Sequence, residues 1–164
     1  PRDSLNQPPA QMALDPSFVG RCFPVIDTYQ VAREKIREFA DAIGDDDEIY
    51  RDPSVALAGG YSDVIAPPTF AIILALRAQQ ALVCDPELGL DYRRMVHGNQ
   101  SFTHHRPILA GDELVATLHV DGVRTMGGND MLTVRCEITD SAGKPVTTAR
   151  SVLVVRRSDE ECEP

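Results

Sequence analysis

A chain of 164 residues fits one domain, since single domains commonly run from about 100 to 200 residues. Ordinary shares of apolar (43%) and charged (25%) residues exclude a wholly disordered or collagen-like polymer. Sixteen Lys and Arg against 25 Asp and Glu leave a formal charge of −9, which repels a polyanion over most of the surface, so nucleic acid is not an expected partner.

The longest apolar stretch, Phe70 to Leu76, is far short of the roughly 20 residues that span a bilayer, so no membrane is expected either. The chain opens without a basic n-region and apolar h-region, which predicts a soluble, cytoplasmic protein. Cys22, Cys84, Cys136 and Cys162 form no CxxC or CxxH pair, so neither a zinc site nor another metal is expected. Irregularly spaced thiols fit a reducing compartment, and Cys136, on the apolar side of an alternating run, reads as a small buried hydrophobe.

Along the chain, residues 1–11 (PRDSLNQPPAQ) are polar and Pro-rich and read as a disordered extension or an expression remnant. Residues 12–157 show no repeat or composition break and read as one domain, followed by an acidic tail at 158–164. Within Val31 to Ile43, Ile36, Phe39, Ala40 and Ile43 share one helical face, and Gly44 supplies the stop. After Pro67-Pro68 a second helix is predicted from Thr69 to Val83; its first half is apolar nearly all round, which predicts burial on most sides.

A strand is expected around Met95 to Phe102. Period-two alternation then places Leu114, Ala116, Leu118 and Val120 on one face, and Leu132, Val134, Cys136 and Ile138 repeat the pattern. Gly127-Gly128-Asn129-Asp130 reads as the turn between them, and a last strand, Val146 to Arg156, follows the turn Asp140-Ser141-Ala142-Gly143. Consecutive strands with short turns predict an antiparallel meander and an α+β class, with a long helix wrapped by a curled sheet: the hot-dog architecture.

Three ordered blocks carry a family resemblance: REKIREFADAIGDDDEIYRDP, VIAPPTFAIILAL and FTHHRPILAGDEL. Together with the spacing Pro107, Gly111, Asp112 they resemble the MaoC-like, or (R)-specific enoyl hydratase, branch of the hot-dog superfamily. The resemblance extends to the accessory subunits of two-subunit (3R)-hydroxyacyl-ACP dehydratases and their uncharacterised homologues. It implies reversible dehydration of a (3R)-hydroxyacyl thioester of CoA or acyl carrier protein. A hydroxyl leaves C3 while a proton leaves C2, which needs an acid and a base within hydrogen-bond reach.

Active members supply that pair as Asp and His in Asp-x-Asn-Pro-x-His, with the thioester carbonyl polarised by amides at the start of the central helix. Carried over, the Asp falls on Asp45, the His on Tyr50 and the Asn-Pro on Asp47-Glu48; the His-Gly that opens the helix falls on Pro67-Pro68 or Pro68-Thr69. This is a departure in kind. A phenol with a pKa of about 10 is only about 0.1% ionised at pH 7, and proline brings no N–H to a carbonyl pocket.

His97 is the best substitute imidazole, because its strand could approach the helix start across a dimer. His104, His105 and His119 read as solvated or hydrogen-bonded structural residues. The run Asp45 to Glu48 is equally a solvated loop, and Gln100 is open between ligand contact and strand pairing. Two functional readings follow from the resemblance: a dehydratase or hydratase in its own right, or a non-catalytic thioester-binding subunit whose partner supplies the Asp/His dyad. A thioesterase ranks below both, because the helix Thr69 to Val83 contains no carboxylate to activate water. Expected partners are an acyl-CoA or acyl-ACP thioester and a second hot-dog chain, as homodimer or heterodimer, with no cofactor.

Overall fold

The computed structural model describes residues 14–24 and 27–157, so the readings placed at 1–11 and 158–164 lie outside the described residues. Three helices, α1 (Arg33–Ile43), α2 (Pro53–Ala58) and α3 (Ile72–Val83), accompany six strands. The strands are β1 (Cys22–Pro24), β2 (Tyr29–Gln30), β3 (Met95–His104), β4 (Glu113–Met126), β5 (Asn129–Asp140) and β6 (Pro145–Arg156). They form one antiparallel sheet in the order β1-β4-β5-β6-β3, with β2 also on β4. This is the α+β hot-dog arrangement.

Alternation explains the sheet. Leu114, Ala116, Leu118 and Val120 of β4 are buried, as are Leu132, Val134, Cys136 and Ile138 of β5 and Val146, Ala149, Leu153 and Val155 of β6. Against this face lies α3, which buries Leu74, Ala75, Ala78 and Leu82. Phe70, fully buried at the foot of α3, takes the edge of Phe39 from α1 at 5.4 Å, so the first helix is clamped to the entrance of the second.

The sequence reading needs correction in four places. Strands β4, β5 and β6 do form a meander, but β3 crosses over to pair with β6 and leaves the edges of β4 to β1 and β2, two short strands that periodicity had not revealed. The first helix starts at Arg33 and the central one at Ile72, because Pro67–Ala71 is wound into successive turns (Phe70 N–H to Pro67 O, 2.9 Å; Ile72 N–H to Thr69 O, 3.0 Å). Asn129 and Asp130 already belong to β5, so only Gly127 and Gly128, both with positive φ, make that turn. The central helix is also not buried all round: Ile72 and Ile73 are half-buried and Leu76 is 48% exposed, because nothing among the described residues covers the side facing β3.

Candidate functional site

The loop after α1 is built by capping. Gly44, with φ of 72°, ends the helix in the left-handed conformation, and the Asp45 amide bonds back to Ala40 O at 2.9 Å. Asp45 Oδ1 then accepts the Asp47 amide (3.2 Å), and Asp47 Oδ1 accepts the Ile49 amide (3.0 Å) to cap a single turn of 3-10 helix, Glu48–Tyr50. Arg51 closes the loop from below, donating to Asp41 Oδ1 at 2.6 Å and to Asp47 O at 3.1 Å. The acidic run is therefore a folded scaffold rather than a merely solvated loop. Two of its carboxylates hold backbone amides.

This scaffold carries both Asp45 and Tyr50, near enough for the Asp45 charge to act on the Tyr50 phenol. Burial, then the charges of Asp45 and Asp47, then the polar interaction with the Asp45 carboxylate, push the Tyr50 phenol above its ordinary value. It stays neutral at physiological pH.

Tyr50 forms one wall of a cavity of about 380 Å³. A second wall is Ile65 to Pro68 and a third is His104 to Ile108. Two hydrogen bonds tie these walls: Ala66 N–H to Ile108 O (2.8 Å) and Ala110 N–H to Val64 O (3.0 Å). The Pro107-Gly111-Asp112 turn fixes the third wall. Gly111 has φ of 91°, and Asp112 Oδ2 accepts both the Leu109 amide (2.8 Å) and Arg106 Nη1 (2.7 Å). Arg106 thus reaches the cavity with its charge already paired by Asp112.

Of the residues singled out from sequence, Tyr50 and Pro68 line this cavity, Asp45 lies behind Tyr50 on the α1 loop, and Thr69, His97 and Gln100 lie elsewhere. Those three line a separate, more open groove of about 620 Å³ between the foot of α3 and β3, together with Ile72, Leu76 and Phe102. Gln100 is anchored within the protein: Gln79 Nε2 donates to Ser151 Oγ (3.0 Å), whose hydroxyl donates to Gln100 Oε1 (2.5 Å), a relay from α3 through β6 to β3. Gln100 thus both lines the groove and ties β3 to β6.

The imidazoles beside Tyr50 are His104 and His105, which the sequence reading had set aside as structural. Each ring is oriented by a threonine of β6, His104 Nδ1 by Thr147 Oγ1 (3.1 Å) and His105 Nε2 by Thr148 Oγ1 (3.4 Å). The available signal was the string His104-His105-Arg106 ahead of Pro107, three polar side chains beside a rigid turn. At the helix entrance Pro68 brings no N–H, and the amides of Phe70, Ile72 and Ile73 are bonded to Pro67, Thr69 and Phe70 oxygens. Among the described residues there is no cluster of His, Cys, Asp and Glu that could hold a metal ion, and no helix long and apolar enough to cross a membrane.

Residues 17–149 match the family described as FAS1-like, dehydratase domain region. A UPF0336 protein of Saccharopolyspora erythraea is 57% identical over 152 residues, which is 93% of this chain and 97% of that protein. In a structure of the C-terminally truncated HadBC (3R-hydroxyacyl-ACP dehydratase) complex of Mycobacterium tuberculosis, one chain is 31% identical with a TM-score of 0.77 over 84% of this chain and 96% of its own. A second solved structure, a MaoC-like dehydratase, is 33% identical with a TM-score of 0.81, covering 88% of this chain and 44% of that longer one. Fold, motif order and these likenesses agree, and the chain belongs to the MaoC-like hot-dog dehydratase family.

Proposed function

We propose that the chain is the acyl-thioester-binding subunit of a (3R)-hydroxyacyl thioester dehydratase, paired with a hot-dog paralogue that supplies the Asp/His dyad. One observation carries this reading. The place where the family needs an imidazole holds Tyr50, a phenol kept neutral by burial and by Asp45 and Asp47. A neutral phenol can donate a hydrogen bond to a leaving hydroxyl or a carbonyl, but it cannot take the C2 proton.

What remains is a binding site. The cavity walls of Ile65, Ala66, Pro67 and Ile108 suit an acyl segment, and His104, His105 and Arg106 offer polar contacts for the thioester carrier, CoA or acyl carrier protein. The unpaired edge of β3 supports dimer formation. Beside it stand Leu76 (48% exposed), Tyr92 (69%) and Met95, apolar surface a second hot-dog chain would cover.

A second reading, a hydratase active in its own right, is favoured by one observation: His104 and His105 line the same cavity as Tyr50. Mixing separates the two. The purified chain is combined with a dyad-bearing hot-dog subunit, and hydration of crotonyl-CoA is followed for each component and for the mixture. Activity in the mixture that persists when this chain carries Tyr50→Phe supports the binding-subunit reading. Full activity of this chain alone, lost on His104→Ala or His105→Ala, supports the second.

A further inference from the structure

On the outer face of the sheet, far in sequence from the loop that carries Tyr50, a thiol, an imidazole and a carboxylate stand in line. Cys22 of β1 pairs directly with His119 of β4, and both side chains point to the face opposite the buried Leu118. Cys22 Sγ lies 3.1 Å from His119 Nδ1. On the other side of the ring, His119 Nε2 is closed off from solvent, and Glu137 Oε2 of β5 is 3.2 Å away, off the line of a hydrogen bond. Glu137 thus flanks the ring without a hydrogen bond, and the thiol is the group aligned with its other nitrogen.

The surrounding charges complete the picture. Arg135 of β5 pairs with Glu137 and with Asp121 of β4 (3.1 Å), and it is close enough to Cys22 for the two to interact electrostatically. Arg21, next to Cys22 in sequence, pairs with Glu87 at 2.8 Å. A thiol beside a carboxylate-supported imidazole and a guanidinium is the arrangement that produces a nucleophilic sulfur. Among the described residues the other two thiols lack it: Cys136 is buried, which pushes its thiol up to about 12, and Cys84 is exposed at the end of α3.

We infer that Cys22, His119 and Glu137 form a reactive-thiol site that accepts a covalent adduct from low-molecular-weight disulfides. Cys22 passes its proton to His119 Nδ1, and the sulfur attacks one sulfur of the disulfide. A new S–S bond forms as the old one breaks, and the departing sulfur leaves as a thiolate that takes up the proton. Cys22 is oxidised to a mixed disulfide and half of the reagent is reduced to a thiol, so no further oxidant is needed. The adduct would sit on the β1 edge, at the opposite end of the strand order from β3, and thus compatible with pairing along β3.

The test is the rate of reaction with dithiodipyridine, a neutral aromatic disulfide, at pH 7, resolved by peptide mapping and measured for the folded protein and for the same chain in urea. Folding ordinarily slows a cysteine by shielding it, so acceleration is the diagnostic. Cys22 is expected to react about tenfold faster in the folded chain than in the unfolded one, and His119→Gln should remove the gain while leaving the Cys84 rate as it was. The comparison within the wild-type chain stands even if that variant folds poorly. Cys22 reacting no faster folded than unfolded, or a folded His119→Gln protein that keeps the wild-type rate, would overturn the inference.

Discussion

At the scale of single residues the account turns on Tyr50. Asp45→Asn removes the carboxylate with the larger effect on the phenol, so the Tyr50 titration should move down toward its ordinary value. A difference ultraviolet titration of variant against wild type reads this; an unchanged curve would separate the two side chains. Tyr50→His restores an imidazole opposite Asp45. A positioned general base is typically worth about 10² to 10⁴ in rate. With Pro68 at the helix entrance and Glu48 where the family has proline, only part of that range is expected in crotonyl-CoA hydration by the isolated variant. That Asp45 and Tyr50 share the loop after α1 was legible in the sequence because the helix face and its Gly44 stop fix where that loop begins. His104 and His105 were not, since their approach to Tyr50 depends on the bonds between Val64–Ala66 and Ile108–Ala110, a pairing between loops that no periodicity announces.

At the scale of elements, two ties decide stability. Asp130, 3% exposed at the start of β5, accepts from Thr125 (2.7 Å), Arg157 (2.8 Å) and the Leu14 amide (3.2 Å), joining the β4–β5 hairpin to both ends of the described chain. Burial alone would raise its carboxyl, but Arg157, Thr125 and Leu14 together outweigh it and hold the group below 3.8. The folded-state value is depressed, so the contribution is present above pH 3.8 and is lost as pH falls through the lower folded value. Asp130→Asn should cost about 2 kcal/mol at pH 7 by urea unfolding, with a smaller difference in strong acid. Equal midpoints at pH 7 would contradict this. The second tie is α3. Leu74, 2% exposed, faces the sheet, so Leu74→Asp should abolish folding, whereas Ile72→Asp, half-buried on the groove side, should fold and lose self-association. Alternation made β4, β5 and β6 readable because each repeats an apolar period over a long run. The three- and two-residue strands β1 and β2 are too short to show a period, and the open side of α3 looks like core in the sequence because it is as apolar as the side that faces the sheet.

At the scale of the whole molecule, one long sheet edge and one apolar groove lie side by side, and a lone protomer would expose both to water. Sedimentation at micromolar concentration should therefore show a dimer, and a single 18.0 kDa species would contradict the assembly proposed along β3. The same assembly explains how a chain can keep the fold, the scaffolded Asp45 loop and the acyl-sized cavity while lacking the imidazole. On the proposed function the chemistry would be divided between two hot-dog chains, one binding and one reacting. The initial rate of crotonyl-CoA hydration by the isolated wild-type chain tests that division most directly. The account predicts no turnover beyond a weak residue that Asp45→Asn abolishes; turnover as fast as that of dyad-bearing relatives, unchanged by Asp45→Asn, would contradict it.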